Sequence, residues 1–446
     1  MLRIERAVTR GLIAAAALSA AIGCAPATVS VGAIPARAHG PAALRARLDG
    51  LVSNPAFRTA EWAVLAIDPA TGDALYAHNP ALLMVPASNM KIITSSVALT
   101  QLGPDFTFST TFATHGRITS GVLHGDLVVT GRGDPTLSDR MRGSARAAMD
   151  SIADSLAARG IREITGAIYS GADNFPGPHV GEGWDWDDLS SSDGAGVDEL
   201  LFNEGMSRIV VRSTAGDSTV KSAPAAEPSI DYLHVLQAAL ESRGIHVARG
   251  VAESVVPADG VPLDTIMVLR SVPLSRILPY FLKPSQNQMG EVLLRSIGLE
   301  RTGVGSPDSG MAVVRRQLTA WGIPRDGYEL HDGSGMARAD LISPETIVRI
   351  LQQMTHSPDF STFYNALPIA AVDGTISRRM AGTPAAGNVH AKTGSLHWVR
   401  SLSGYVTDAD GHRLIFSALA NKWTTPSTTV TSTADSIAAA LASYRR

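Results

Sequence analysis

The stretch VPASNMKIITSSVAL, Val85 to Leu99, constrains the fold most, because it sets one lysine inside an apolar run. After Ser88, the residues Met90, Ile93 and Val97 recur at helical spacing, and Leu-Gly-Pro at 102–104 ends the run. The pattern predicts a helix with Ser88 at its start and Lys91 one turn on, on the same face. The chain has only five lysines, at 91, 221, 283, 392 and 422, and arginine carries nearly all the other positive charge. Arginine keeps its proton near neutral pH, whereas a buried lysine can lose one. Lys91 is therefore a candidate base for the Ser88 hydroxyl, a poor nucleophile until something takes its proton. Its pKa must first be brought down from about 10.4 by burial or by a nearby cation. The same spacing also suits a helix cap followed by a surface lysine. Ser218 and Lys221 repeat it among Gly216, Pro224 and Pro228 with no helical stripe behind them, and read as an exposed turn or strand end.

Around this stretch the chain is long enough for two or more domains, with globular proportions of 45% apolar and 18% charged residues. A formal net charge of −3 and the lack of any Lys/Arg run disfavour nucleic acid as a partner. Residues 1–24 have the layout of a secretory signal: Arg3, Arg6 and Arg10 precede an apolar block from Gly11 to Gly23 that is short for a membrane span. Cys24, the only cysteine, follows small residues as a lipoprotein acceptor does, and is a candidate lipid anchor; cleavage without lipidation is the alternative. With one cysteine no disulfide forms within the chain.

A small-residue linker, 25–40, leads to a helical segment, PAALRARLDGLVSN, and to a hairpin, EWAVLAIDPATGDALYAHNP. From Phe106 the texture becomes strand and turn, with an amphipathic helix in ARAAMDSIADSLAARG and another at about 232–244. We expect residues 104–270 to be an inserted β-rich module, as one unit or two subdomains, between catalytic parts at 41–103 and 271–446. Helical texture returns in PLSRILPYFLKPSQNQMGEVLLRSIGLE, where Met289, Val292, Leu293 and Ile297 form one stripe after a break at Pro284. NVHAKTGSLHWVRSLSGYV and HRLIFSALANKW read as neighbouring antiparallel strands, and a last helix is expected from about Ala434 to Ser443.

Two further motifs stand with Ser88 and Lys91. KPSQN places Ser285 and Asn287 in the break before a helix, so that a hydroxyl and a carboxamide point into one cleft. HAKTGS places Lys392, Thr393 and Gly394 on a strand, where the glycine allows a substrate backbone to approach closely. S-x-x-K, S-x-N and K-T-G in this order are the signature of penicillin-binding proteins and class A β-lactamases.

The chain resembles the low-molecular-mass class C penicillin-binding proteins, the D-alanyl-D-alanine carboxypeptidase/endopeptidase family, in which a long insertion separates S-x-x-K from S-x-N. GRGDPTL (131–137), GWDWDDL (183–189), LHDGSGM (330–336) and AVDGTI (371–376) extend the resemblance from about residue 45 almost to the end. Gln286 and the ARAD after DGSGM depart from the commoner pattern, without touching the hydroxyl, amide or amine functions. The resemblance implies an α+β, serine β-lactamase/transpeptidase-like catalytic domain, peptidoglycan stem peptides as substrate, β-lactams as covalent inhibitors, and an exported, periplasmic or extracytoplasmic location. No metal or organic cofactor is implied.

By this resemblance Ser88 attacks the carbonyl of the penultimate D-Ala while Lys91 takes its proton. Ser285 relays a proton to the leaving amine, and Asn287 bonds the substrate backbone and holds Lys91. Lys392 adds positive charge that favours neutral Lys91 and, with Thr393 and Gly394, receives the terminal carboxylate end of the substrate. The N–H groups of Ser88 and Ser395 form the expected oxyanion hole. Lys283 reads as a helix-end charge, and the acidic WDWDD lacks the spaced ligands of a calcium loop. Two alternatives stand beside this reading: a serine β-lactamase-like hydrolase, disfavoured by the lack of E-x-x-L-N between 288 and 391, and a non-catalytic envelope-binding protein of the same fold.

Overall fold

In β1 (Glu61–Ile67) every residue from Trp62 to Ile67 is apolar and buried, so the sheet that contains it is covered on both faces. The computed structural model describes residues 40–212, 218–252 and 262–446. The expected signal sequence, the linker and Cys24 lie outside the described residues.

Chain order starts with α1 (Pro41–Val52), β1, β2 (Ala74–His78) and α2 (Met90–Leu102). It continues through β3 (Ser109–Thr114), β4 (Leu127–Thr130), α3 (Ala145–Ala158), β5 (Ile168–Ser170), α4 (Pro228–Ser242) and β6 (Asp264–Arg270). Five helices follow: α5 (Leu274–Leu282), α6 (Asn287–Thr302), α7 (Pro307–Ala320), α8 (Pro344–Thr355) and α9 (Phe360–Ala366). The chain ends with β7 (His390–Leu396), β8 (Val399–Thr407), β9 (Arg413–Asn421) and α10 (Ser427–Ala442). The last helix thus begins seven residues before the predicted Ala434, because Val430 already packs in the core.

The main sheet has the order β7-β8-β9-β1-β2 and is antiparallel throughout, so its ends in sequence are adjacent in space. On one face Val64, Ala66, Leu402 and Phe416 pack with α1 and α10. On the other, Leu65, Ile67, Ile415 and Leu419 pack with α2 and α5 to α8. The structure differs here from the single apolar stripe expected of α2: residues 90–99 are buried on every side, since the helix lies between the sheet and the helical layer. Its buried hydroxyls are satisfied locally, Thr94 donating to the carbonyl of Gly333 (2.6 Å) and Ser95 to that of Lys91 (2.5 Å).

Between α2 and α5 the strands form separate sheets. One has the order β6-β3-β4-β5; another is built from four short strands including Val122–His124 and Glu163–Ile164. They enclose a third core of their own, containing Phe112, Leu127, Met149, Tyr232 and Leu236. Met206–Arg212 pairs with Ser218–Pro224, so Ser218 begins a strand and Lys221 is an exposed position within it, apart from the helix-borne pair at 88 and 91.

Candidate active site

Ser88 sits in a tight turn, Ala87–Asn89, that runs directly into α2. The turn is held from three sides. Ser401 Oγ on β8 donates to the carbonyl of Pro86 (2.8 Å), Asn89 Nδ2 donates to the carbonyl of Lys392 on β7 (3.0 Å), and Val85 N donates to Asn421 Oδ1 on β9 (2.9 Å). Ala87 has φ +48°, a conformation that a non-glycine residue keeps only where its surroundings hold it. Gly335 meets it: a Cβ there would lie 2.0 Å from the Ala87 carbonyl oxygen.

One helical turn on, Lys91 is fully buried, with Nζ 2.9 Å from Ser88 Oγ, 2.7 Å from Asn287 Oδ1 and 2.6 Å from the carbonyl oxygen of Ser334. Two of these neighbours only accept. A neutral amine spends its two N–H bonds on Asn287 and Ser334, which leaves its lone pair for the Ser88 hydroxyl to donate to. Burial lowers the Lys91 pKa to about 8, while the charges of Asp332, Glu291, Asp193 and Asp340 work in the opposite direction. Desolvation wins because no carboxylate touches the amine.

Asn287 is the first residue of α6, capped by the Gln286 side chain, which accepts from Met289 N (2.6 Å). Its Nδ2 donates to the carbonyl of Asp193 (3.1 Å) and faces Met336 Sδ (2.9 Å), so both ends of the amide are engaged within the protein. Ser285, at φ +66°, accepts from Lys392 Nζ (2.8 Å). Lys392 is also fully buried, and its pKa lies well below the usual lysine value, through burial first and the charge of Lys91 second. The sequence reading made Lys392 the cation that keeps Lys91 neutral. Burial is instead the main cause for both, and two ammonium groups so placed oppose each other's protonation.

Gly394 also has a different purpose from the one expected. A Cβ on it would lie 2.5 Å from the Pro86 carbonyl oxygen and 3.0 Å from Ser88 N. The glycine makes room for the turn that carries Ser88. Thr393 Oγ1 is 2.7 Å from Thr375 Oγ1, and Ser395 is exposed at the cleft wall. Ser88, Ser285, Asn287, Thr393 and Ser395 line one cavity of about 950 Å³, so the residues of all three motifs converge. Lys283 caps the C-terminus of α5 and bonds Asp373 (2.7 Å) and the Leu367 carbonyl (2.9 Å), as a helix-end charge does.

Sequence reasoning missed the acid cluster beneath Lys91. Asp332 accepts from Ser334 Oγ (3.0 Å), from the N–H groups of Gly335 (2.6 Å), Met336 (2.9 Å) and Ala337 (3.0 Å), and from Trp184 Nε1 (2.9 Å). This carboxylate shapes the loop whose Ser334 carbonyl faces Lys91. Glu291 accepts from Gly333 N (3.0 Å), and burial with the nearby Asp332 pushes its pKa up to about 8; Asp340 is raised well above the carboxylate range for the same reasons. DGSGM was visible as a motif, but no spacing rule tells that its aspartate folds a loop onto a lysine 241 positions earlier in sequence.

A sequence model of the D-Ala-D-Ala carboxypeptidase 3 (S13) family matches residues 44–229 and 214–443. The chain belongs to that family. It is 31% identical, over 99% of its length and 93% of the relative's, to a D-alanyl-D-alanine carboxypeptidase of an Actinomadura species. The fold of this S13 enzyme is similar to that of the crystal structure of penicillin binding protein 4 from Haemophilus influenzae, with a TM-score of 0.78 and 23% identity over 89% of this chain and 99% of the other. A second crystal structure of that protein, complexed with a β-lactam, aligns with a TM-score of 0.70 and 24% identity over 88% of this chain and 98% of the other. The penicillin-recognising α+β architecture expected from the sequence is the one present. The enzyme class follows from the family: this is a serine D-Ala-D-Ala carboxypeptidase.

Proposed function

We propose that Ser88 is the nucleophile of this carboxypeptidase and acts on peptidoglycan stem peptides, with residues 104–270 as an insert in a catalytic domain made of 41–103 and 271–446. The observation that carries the reading is the buried Lys91 amine, whose two fixed acceptors leave its lone pair for Ser88 Oγ. Lys91 takes the serine proton as the hydroxyl attacks the carbonyl of the penultimate D-Ala. The oxyanion forms between the N–H groups of Ser88 and Ser395, donors whose loss typically costs about 2.7–4 kcal/mol each. The terminal carboxylate pairs with Thr393 and with Lys392, which regains its proton in that company. Ser285, bonded to Lys392, passes a proton to the leaving D-Ala amine. Water then cleaves the Ser88 ester. The apolar leader and Cys24 support export, with a lipid anchor as the finer alternative.

β-Lactams acylate the same serine on this reading. Purified full-length protein should take up a fluorescent penicillin stoichiometrically and release D-Ala from a pentapeptide. Ser88→Ala should lose both activities, while Ser218→Ala keeps both. A folded wild type that takes no label and releases no D-Ala would favour the binding-protein alternative. Rapid turnover of nitrocefin would favour the β-lactamase alternative.

A further inference from the structure

The loop that carries Ser334 is closed at its base by a short pair of strands, Tyr328–Glu329 against Leu341–Ile342. Ile342 N donates to the Met84 carbonyl (2.8 Å), which ties the loop to the stretch leading into Ser88. Inside the loop two carboxyls, Asp332 and Asp340, are fully buried and lie within hydrogen-bond reach of each other. Two carboxyls in contact away from water do not both ionise, so the pair holds a proton.

The hydrogen bonds show which of them carries it. An ionised carboxylate only accepts. Asp332 Oδ2 accepts from Ser334 Oγ, Trp184 Nε1 and the N–H groups of Met336 and Ala337, and its Oδ1 accepts from Gly335 N. A proton on Asp332 would have to compete with those hydrogens. Asp340 Oδ1 accepts from His331 N (2.7 Å), while its buried Oδ2 meets no donor among the described residues. Ionised, that oxygen would be desolvated with nothing to accept from; as a hydroxyl it has the Asp332 carboxylate to donate to.

We propose that Asp340 is a positioning residue that stays protonated and donates to Asp332, and so holds the loop that sets the Ser334 carbonyl against Lys91; the inference rests on the reading of Ser88 and Lys91 above. The place of the proton also limits the charge beneath Lys91. Around the pair stand Glu291 and Arg295 on α6, Lys91 on α2, Asp193 from the segment between α2 and α5, and His331, whose ring faces Glu182 (3.5 Å). An ionised Asp340 would add to the carboxylate charges that raise the Lys91 pKa. As an acid it fixes the loop without that charge. Asparagine has the same shape, with an NH₂ group where the hydroxyl stands, so it can replace Asp340 but not Asp332, whose two oxygens both accept.

Wild-type protein and the variants Asp340→Asn, Asp340→Ala and Asp332→Asn should be compared by difference infrared spectroscopy at neutral pH, and by the rate of acylation with fluorescent penicillin across pH. Against wild type, Asp340→Asn should lose the C=O stretching band of a protonated carboxyl and no carboxylate band, and should keep the wild-type rate and acid limb. Asp340→Ala removes the donor and should acylate about tenfold more slowly, the effect of one lost hydrogen bond. Recovery of the rate in Asp340→Asn separates donation from charge. Asp332→Asn should be slow as well, with its acid limb moved to lower pH, because it removes a negative charge facing Lys91. The proposal falls if Asp340→Asn loses a carboxylate band, shifts the acid limb or acylates as slowly as Asp340→Ala, or if Asp340→Ala acylates at the wild-type rate. A folded wild type that takes no penicillin would remove the reading of Ser88, and the positioning role with it, while the infrared bands still locate the proton.

Discussion

Lys91 is surrounded by acceptors that suit an ammonium and by carboxylates that favour one, yet burial holds its pKa to about 8. The unprotonated Lys91 amine is therefore the minority form at neutral pH. Because the proposed base acts unprotonated, penicillin acylation should rise with pH through an apparent pKa near 8 and fall about tenfold per unit below it, which stopped-flow acylation rates across pH 5–9.5 will show. Glu291 raises the Lys91 pKa, so Glu291→Gln should move this acid limb to lower pH; a limb that stays in place would exclude Glu291 from the balance. Lys91→Ala should lower acylation by about 10²–10⁴-fold, the usual contribution of a general base. Ser88, Lys91, Ser285, Asn287, Lys392 and Thr393 were legible in the sequence because each sits in a short motif whose residue types carry their chemistry. Glu291, Asp332 and Asp340 were not, since carboxylates become remarkable only when burial brings them beneath an amine.

At the scale of single elements, close approach explains more than propensity does. Gly394 lies against Ser88 N and Gly335 against Ala87 O, so the turn that carries Ser88 is clasped between β7 and the DGSGM loop. Gly335→Ala should slow acylation and lower stability, by about 1–3 kcal/mol for the φ of +83° alone, measurable by urea unfolding. Helices α7 and α8 escaped the sequence reading, although each announces itself by a serine cap and a proline. Ser306 accepts from Ser309 N (3.1 Å) ahead of Pro307, and Ser343 accepts from Thr346 N (3.1 Å) ahead of Pro344. Ser343→Ala should cost about 1 kcal/mol, read in the same unfolding assay, without changing acylation.

Across the whole molecule, the long segment between α2 and α5 does more than separate two motifs. Trp184 reaches from it to Asp332, and the Asp193 carbonyl receives Asn287 Nδ2. Trp184→Phe should slow acylation by up to about tenfold through Asp332 while leaving the fold intact by circular dichroism, the loss expected when one ordinary hydrogen bond is removed. The sequence by itself determined the family, the fold class, the three motifs that converge on one cleft and the order of most elements. These depend on local spacing, period and turn chemistry, and on motifs whose atoms already name their task. The tertiary structure alone decided which force lowers the Lys91 pKa, what Gly394 makes room for and how Asp332 folds its loop onto the amine, because desolvation, close approach and long-range hydrogen bonds exist only once distant segments have packed together.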